Sequence, residues 1–137
     1  MTHGLSNTFL RLAVLAALIG MIWGNVMGAT HNHLASSAHA HLNLLGWVSM
    51  AIYGLFYRVM PQAAVGVLPK AHLGLSLVGV VMMVPSLAIV LTQYQPGLAV
   101  AQPLLALSGI VVLLAMLLFA VVVFKATGKA SAQAVSQ

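Results

Sequence analysis

The feature that most constrains this chain is negative: no aspartate or glutamate occurs anywhere in its 137 residues. A soluble domain of this length carries charge on roughly a quarter of its residues. Here 4% are charged and 62% are hydrophobic, so lipid rather than water must cover most of the surface. The chain therefore reads as an integral membrane protein. The missing carboxylates remove acid–base pairs, carboxylate proton relays and Mg²⁺ or Ca²⁺ sites. The missing cysteines remove disulfides, thiolate metal sites and redox thiols. Histidine is left as the strong ligand for a transition metal or haem, with methionine as a soft auxiliary. The formal charge of +5 comes from scattered residues that form no patch, so no nucleic-acid partner is expected.

A spanning helix needs about 20 mostly apolar residues. Four runs meet that length, at about 8–28, 40–60, 71–92 and 103–124. Ser36-Ser37 lies in the first separator, Pro61 and Pro69 bound the second, and Gln95-Pro96-Gly97 through Pro103 form the third. Arg11 ahead of an apolar run ending in small residues has the look of a signal peptide, but the run is long enough to span and is read as a true first helix. The expected fold is an all-α membrane protein: four transmembrane helices in a compact antiparallel bundle forming one domain over 1–126. Residues 127–137 are expected to be a polar, fraying tail.

Arg11, Arg58, Lys70, Lys125 and Lys129 all fall on one face of such a bundle. By the positive-inside rule that face, with both termini, is cytoplasmic, and the first loop faces the periplasm or exterior of a bacterial-type inner membrane. Gly20, Gly24 and Gly28 give the first helix a smooth stripe for close approach by helix two or by another protomer. Pro85 should kink the third helix, with Gly74 and Gly79 as further close contacts.

Four of the six histidines, His31, His33, His39 and His41, gather in and after that first loop. Polar side chains set against apolar sequence cost free energy unless paired or ligated. At about 100° per residue, His39, Asn43, Gly46, Met50, Tyr53 and Tyr57 share one stripe of helix two, while His41 stands about 200° from His39. If both are helical they cannot ligate one ion from one protomer. One reading is axial ligation of haem b, with His41 as first choice because it is deepest, His39 second, and Gly46 giving a porphyrin room. The sixth ligand would be His31, His33 or a histidine of another chain. A second reading is a copper or zinc site of His31, His33, His39 and His41, with Met27 as a soft addition. A third is that these are interfacial histidines bonded to headgroups and loop carbonyls. Asn43 would orient a histidine or bond between helices. Trp23, Trp47, Tyr57 and Tyr94 read as belt and packing residues. His72 is expected at the cytoplasmic end of helix three, too far from His41 to share a site.

The run His39-Ala40-His41-Leu42-Asn43-Leu44-Leu45-Gly46-Trp47-Val48, with Tyr53-Gly54-Leu55-Phe56-Tyr57-Arg58 and Pro61 downstream, resembles the second helix of subunit I of haem-copper oxidases. It looks closest to the cbb3-type and nitric-oxide-reductase branch, and closer still to short four-helix proteins described as oxidase subunit I-like. The resemblance implies that a histidine at the outer end of this helix, His41 or His39, is an axial ligand of low-spin haem b. It covers roughly thirty residues, about one span with its flanks. The helices that would supply the second haem ligand and the copper histidines have no counterpart, and no His-His pair occurs, so a binuclear oxidase centre is not expected. The resulting expectation is haem b binding in electron transfer or cofactor handling, within a homo-oligomer or a respiratory-type complex. The alternatives are a cofactor-free accessory subunit or a copper- or zinc-handling protein.

Overall fold

The computed structural model describes residues 3–135, and side chains as far as Gly128. All regular structure in that range is helical. Helix α1 runs His3–Thr30. A second helical rod follows in three parts: α2 (Ser36–His41), a π-helical segment (Leu42–Ser49) and α3 (Met50–Val59). A 3₁₀ turn, Pro61–Ala64, leads to α4 (Val67–Leu91), and α5 runs Gln95–Val135. The four expected helices are all present. Three of them, His3–Thr30, Val67–Leu91 and Gln95–Gly128, are long and apolar enough to cross a membrane. The expected span at 40–60 is helical but is not one continuous α-helix.

Several boundaries differ from expectation for local reasons. Pro96 was expected in a loop, yet it stands at the second position of α5, where its missing N–H has no intrahelical acceptor to lose and its fixed φ suits a helix start. Pro103 lies inside α5 and Pro85 inside α4, each without ending its helix. Pro69 likewise falls in the first turn of α4. Ser36-Ser37 opens α2 rather than lying in a loop. Of the expected tail at 127–137, the part as far as Val135 is helical and continues α5; Ser136 and Gln137 fall outside the described residues.

The connections are short. His31 ends α1 by taking a left-handed backbone, φ 53°, and the Asn32 side chain accepts from the Leu34 N–H at 3.1 Å. Gly66, at φ 102°, precedes α4 in a conformation costly for any residue with a Cβ. Between α4 and α5, Gln93 is left-handed at φ 53°, and the Tyr94 N–H closes back on the Ile89 carbonyl at 3.1 Å.

α1 packs against the π segment and α3, while α4 lies along α5. The shared core holds Phe9, Ala13, Ala16, Leu42, Met50, Tyr57, Val80, Val84 and Val122. Small residues let the backbones approach, as they do where lipid competes for apolar surface. A Cβ on Gly54 would meet Leu10 at 2.8 Å and one on Gly79 would meet Val112 at 2.8 Å. Gly74, expected to do the same, faces open space. The outward faces carry Ile22, Leu18, Leu113 and Phe124, apolar side chains suited to lipid.

The π segment sets the register of everything after it. Buried positions along the second rod are Ala38, Leu42, Gly46, Met50, Gly54 and Tyr57, spaced mostly by four. In an α-helix each step of four overshoots a full turn by about 40°, so the stripe would drift by about 160° from Ala38 to Gly54. Closing turns over five residues, as a π-helix does, takes up that overshoot. The Ser49 hydroxyl donates to the Leu44 carbonyl, five residues back, at 2.8 Å.

Candidate haem-binding groove

The same register lines His39, Asn43 and Trp47, also four apart, along the side of the rod that faces α1. There they border an open groove of about 880 Å³ with Gly20, Met21, Gly24, Asn25, Gly28 and Ala29. The glycine stripe therefore receives polar side chains of the second rod rather than its backbone. A Cβ on Gly20 would run into the Asn43 amide, and one on Gly24 would lie 3.2 Å from His39 Cε1, while Gly28 is open. Trp23 meets the His39 ring edge-on, with centroids 6.0 Å apart.

Asn43 orients His39. Its side-chain nitrogen lies 3.2 Å from His39 Nε2 and donates to the His39 carbonyl at 3.0 Å. The same nitrogen lies 3.5 Å from His39 Nδ1, so Asn43 holds the ring in place while either ring nitrogen can carry the proton.

His41 has a separate environment. Both histidines belong to α2, so they point to different sides, and the His41 Nδ1 bonds the Ser37 carbonyl at 2.7 Å. That bond fixes Nδ1 as donor and leaves Nε2 as acceptor, a common second-sphere arrangement for a ligating histidine. His41 does not line the groove.

Two expectations change at this point. Gly46 gives no room to a porphyrin, because a Cβ there would meet Ala16 at 3.0 Å, Leu42 at 3.2 Å and Val80 at 3.4 Å. It is a helix-packing glycine. Nor do His31, His33, His39 and His41 converge: among the described residues no three groups stand close enough to hold one metal ion. His31 is committed to the turn that ends α1, and His39 and His41 diverge.

His72 does not face outward from the bundle. It is fully buried, and its Nδ1 lies 3.0 Å from the Tyr57 hydroxyl. Tyr57, expected as a belt or packing residue, is fully buried and packs in the core. Phe9, Tyr53 and Phe119 complete an aromatic wall around the imidazole, with Phe119 stacked at 5.1 Å and 24°. The signal for this second polar cluster was a histidine and a serine one helical turn apart, His72 and Ser76, inside an apolar run.

No family model, no curated protein and no solved structure matches this chain.

Proposed function

We propose that this chain is a bacterial-type inner-membrane protein that binds haem b in the groove between α1 and the second rod, with His39 as an axial ligand. The observation that carries this reading is an imidazole, held in place by Asn43, beside an open glycine-lined groove. The groove volume lies within the roughly 300–1,000 Å³ typical of cofactor sites. Binding at Nε2 would exchange the Asn43 side-chain bond and leave Asn43 bonded to the His39 carbonyl. The groove offers one histidine, so a sixth ligand would come from another chain, consistent with a homo-oligomer or a respiratory-type complex. When bound, haem supplies one-electron chemistry; the chain's own residues hold, orient and partly shield it. The basic residues orient the bundle with both termini cytoplasmic and the groove toward the outer face.

The preferred ligand thus moves from His41 to His39, which is the histidine lining the groove. A second reading has its own support: His39 and Asn43 seated over Gly24 and Gly20 also make a polar clamp between helices, as a cofactor-free accessory subunit would need.

The visible spectrum of detergent-purified protein, air-oxidised and then dithionite-reduced, tests both. Haem binding gives a Soret band with resolved reduced α and β bands, lost in His39→Ala and kept in His41→Ala. Loss only in His41→Ala would return the ligand to His41. A colourless sample from haem-replete cells would overturn the haem reading and favour the clamp.

A further inference from the structure

The core contains a second polar cluster at the opposite end of the second rod from His39. His72 Nε2 and Ser76 Oγ are both buried, and neither has a hydrogen-bond partner among the described residues. A buried donor or acceptor without a partner is costly, and such groups are normally satisfied by protein or by ordered water. The two residues are four apart on α4, which places them on the same face one turn from each other.

The chemistry of the two ends is complementary. The Tyr57 hydroxyl can donate to His72 Nδ1, which leaves the neutral ring protonated on Nε2 and needing an acceptor. No aspartate or glutamate exists in the chain to pair with the ring, which is walled by Phe9, Tyr53 and Phe119. The Ser76 hydroxyl both donates and accepts. A cation at this position would find no aspartate, glutamate or cysteine to neutralise it. A porphyrin would have to displace the aromatic wall. The ligand that satisfies both atoms is small, neutral, and both donor and acceptor.

We infer that His72 Nε2 and Ser76 Oγ form an internal site for one water molecule, continuing a hydrogen-bonded chain Tyr57–His72–water–Ser76 inside the bundle. The water accepts from His72 Nε2–H and donates to Ser76 Oγ. A water held by polar side chains in an otherwise apolar interior is a structural component that is costly to remove. The site is independent of haem binding in the groove.

Solid-state NMR on histidine-¹⁵N protein in lipid bilayers tests this, with the His72 signals assigned by their loss in His72→Gln. Magnetisation transfer from water to His72 Nε2–H is expected in the unsubstituted protein. It should vanish in Ser76→Val, whose methyl groups take the water's place, while the Tyr57-dependent Nδ1 shift stays. If Ser76→Val loses that shift, Ser76→Ala carries the comparison: reduced transfer supports the site and unchanged transfer overturns it. Absence of transfer in the unsubstituted protein, or transfer unaltered in Ser76→Val, would overturn it as well.

Discussion

The bond between the Tyr57 hydroxyl and His72 Nδ1 joins α3 to α4 where both side chains are fully buried. Removing one partner leaves the other buried without compensation, whereas removing both leaves an apolar contact. Tyr57→Phe should therefore destabilise the protein by about 1–2 kcal/mol, between average membrane hydrogen bonds and the cost of an orphaned buried group. Tyr57→Phe combined with His72→Phe should cost less than the two single changes summed. Denaturation in mixed detergent micelles across the four-member cycle measures the coupling; additive costs would mean that the bond contributes nothing. The glycine stripe gives a graded test at the same scale. Gly20→Ala must displace the Asn43 amide, Gly24→Ala presses on His39, and Gly28→Ala enters open space. Melting temperatures should fall in that order, with Gly28→Ala close to unchanged. A large loss at Gly28 would show that another surface covers it.

At the scale of elements, the π segment decides whether the second rod works. It holds Leu42, Gly46, Met50 and Gly54 toward the core and His39, Asn43 and Trp47 toward α1. Inserting one alanine after Leu44, an exposed residue, lengthens a segment already wound in wide turns and should rotate everything after it by about one residue step, on the order of 100°. Met50, Gly54 and Tyr57 would then leave the core. The expected outcome is loss of monodisperse protein on size-exclusion chromatography, while Leu44→Ala behaves as the parent. An insertion variant as stable as the parent would show that the register is set elsewhere. This element also marks where the sequence was legible. The four apolar runs announced four helices, because a run of about 20 apolar residues has few other uses. The opposition of His39 and His41, and the shared face of His39 and Asn43, followed from simple angular counting. The burial of His39's neighbours did not, because a fixed 100° step cannot represent a π segment. The available signal was the four-residue period of Ala38, Leu42, Gly46, Met50 and Gly54. The start of α5 was hidden differently, since Pro96 reads equally as a loop breaker and as a helix opener.

At the scale of the whole molecule, the helices differ in length in a way that bears on orientation. α5 has 41 residues, about 62 Å at 1.5 Å per residue, roughly twice the hydrocarbon thickness. The tight turn at Thr92, Gln93 and Tyr94 holds its start beside the end of α4, so the excess lies at the other end. Phe119 stacks on His72, and α4 begins at Val67, five residues before His72, so α5 overruns α4 beyond about residue 124. Lys125 lies on that overrun. Arg58, whose guanidinium donates to the Asn7 side chain at 2.7 Å, ties α3 to α1 on the same side. In the proposed orientation, where basic residues mark the cytoplasmic side, that end is the cytoplasmic one. The chain has no cysteine, so single introduced thiols report without background. Ser36→Cys, at the start of α2, should react with a membrane-impermeant maleimide in intact spheroplasts. Gln62→Cys, in the turn between α3 and α4, should react only after permeabilisation. The reverse pattern would invert the bundle and place His39 toward the cytoplasm. Reaction of both in intact spheroplasts would mean that the second rod does not cross the membrane.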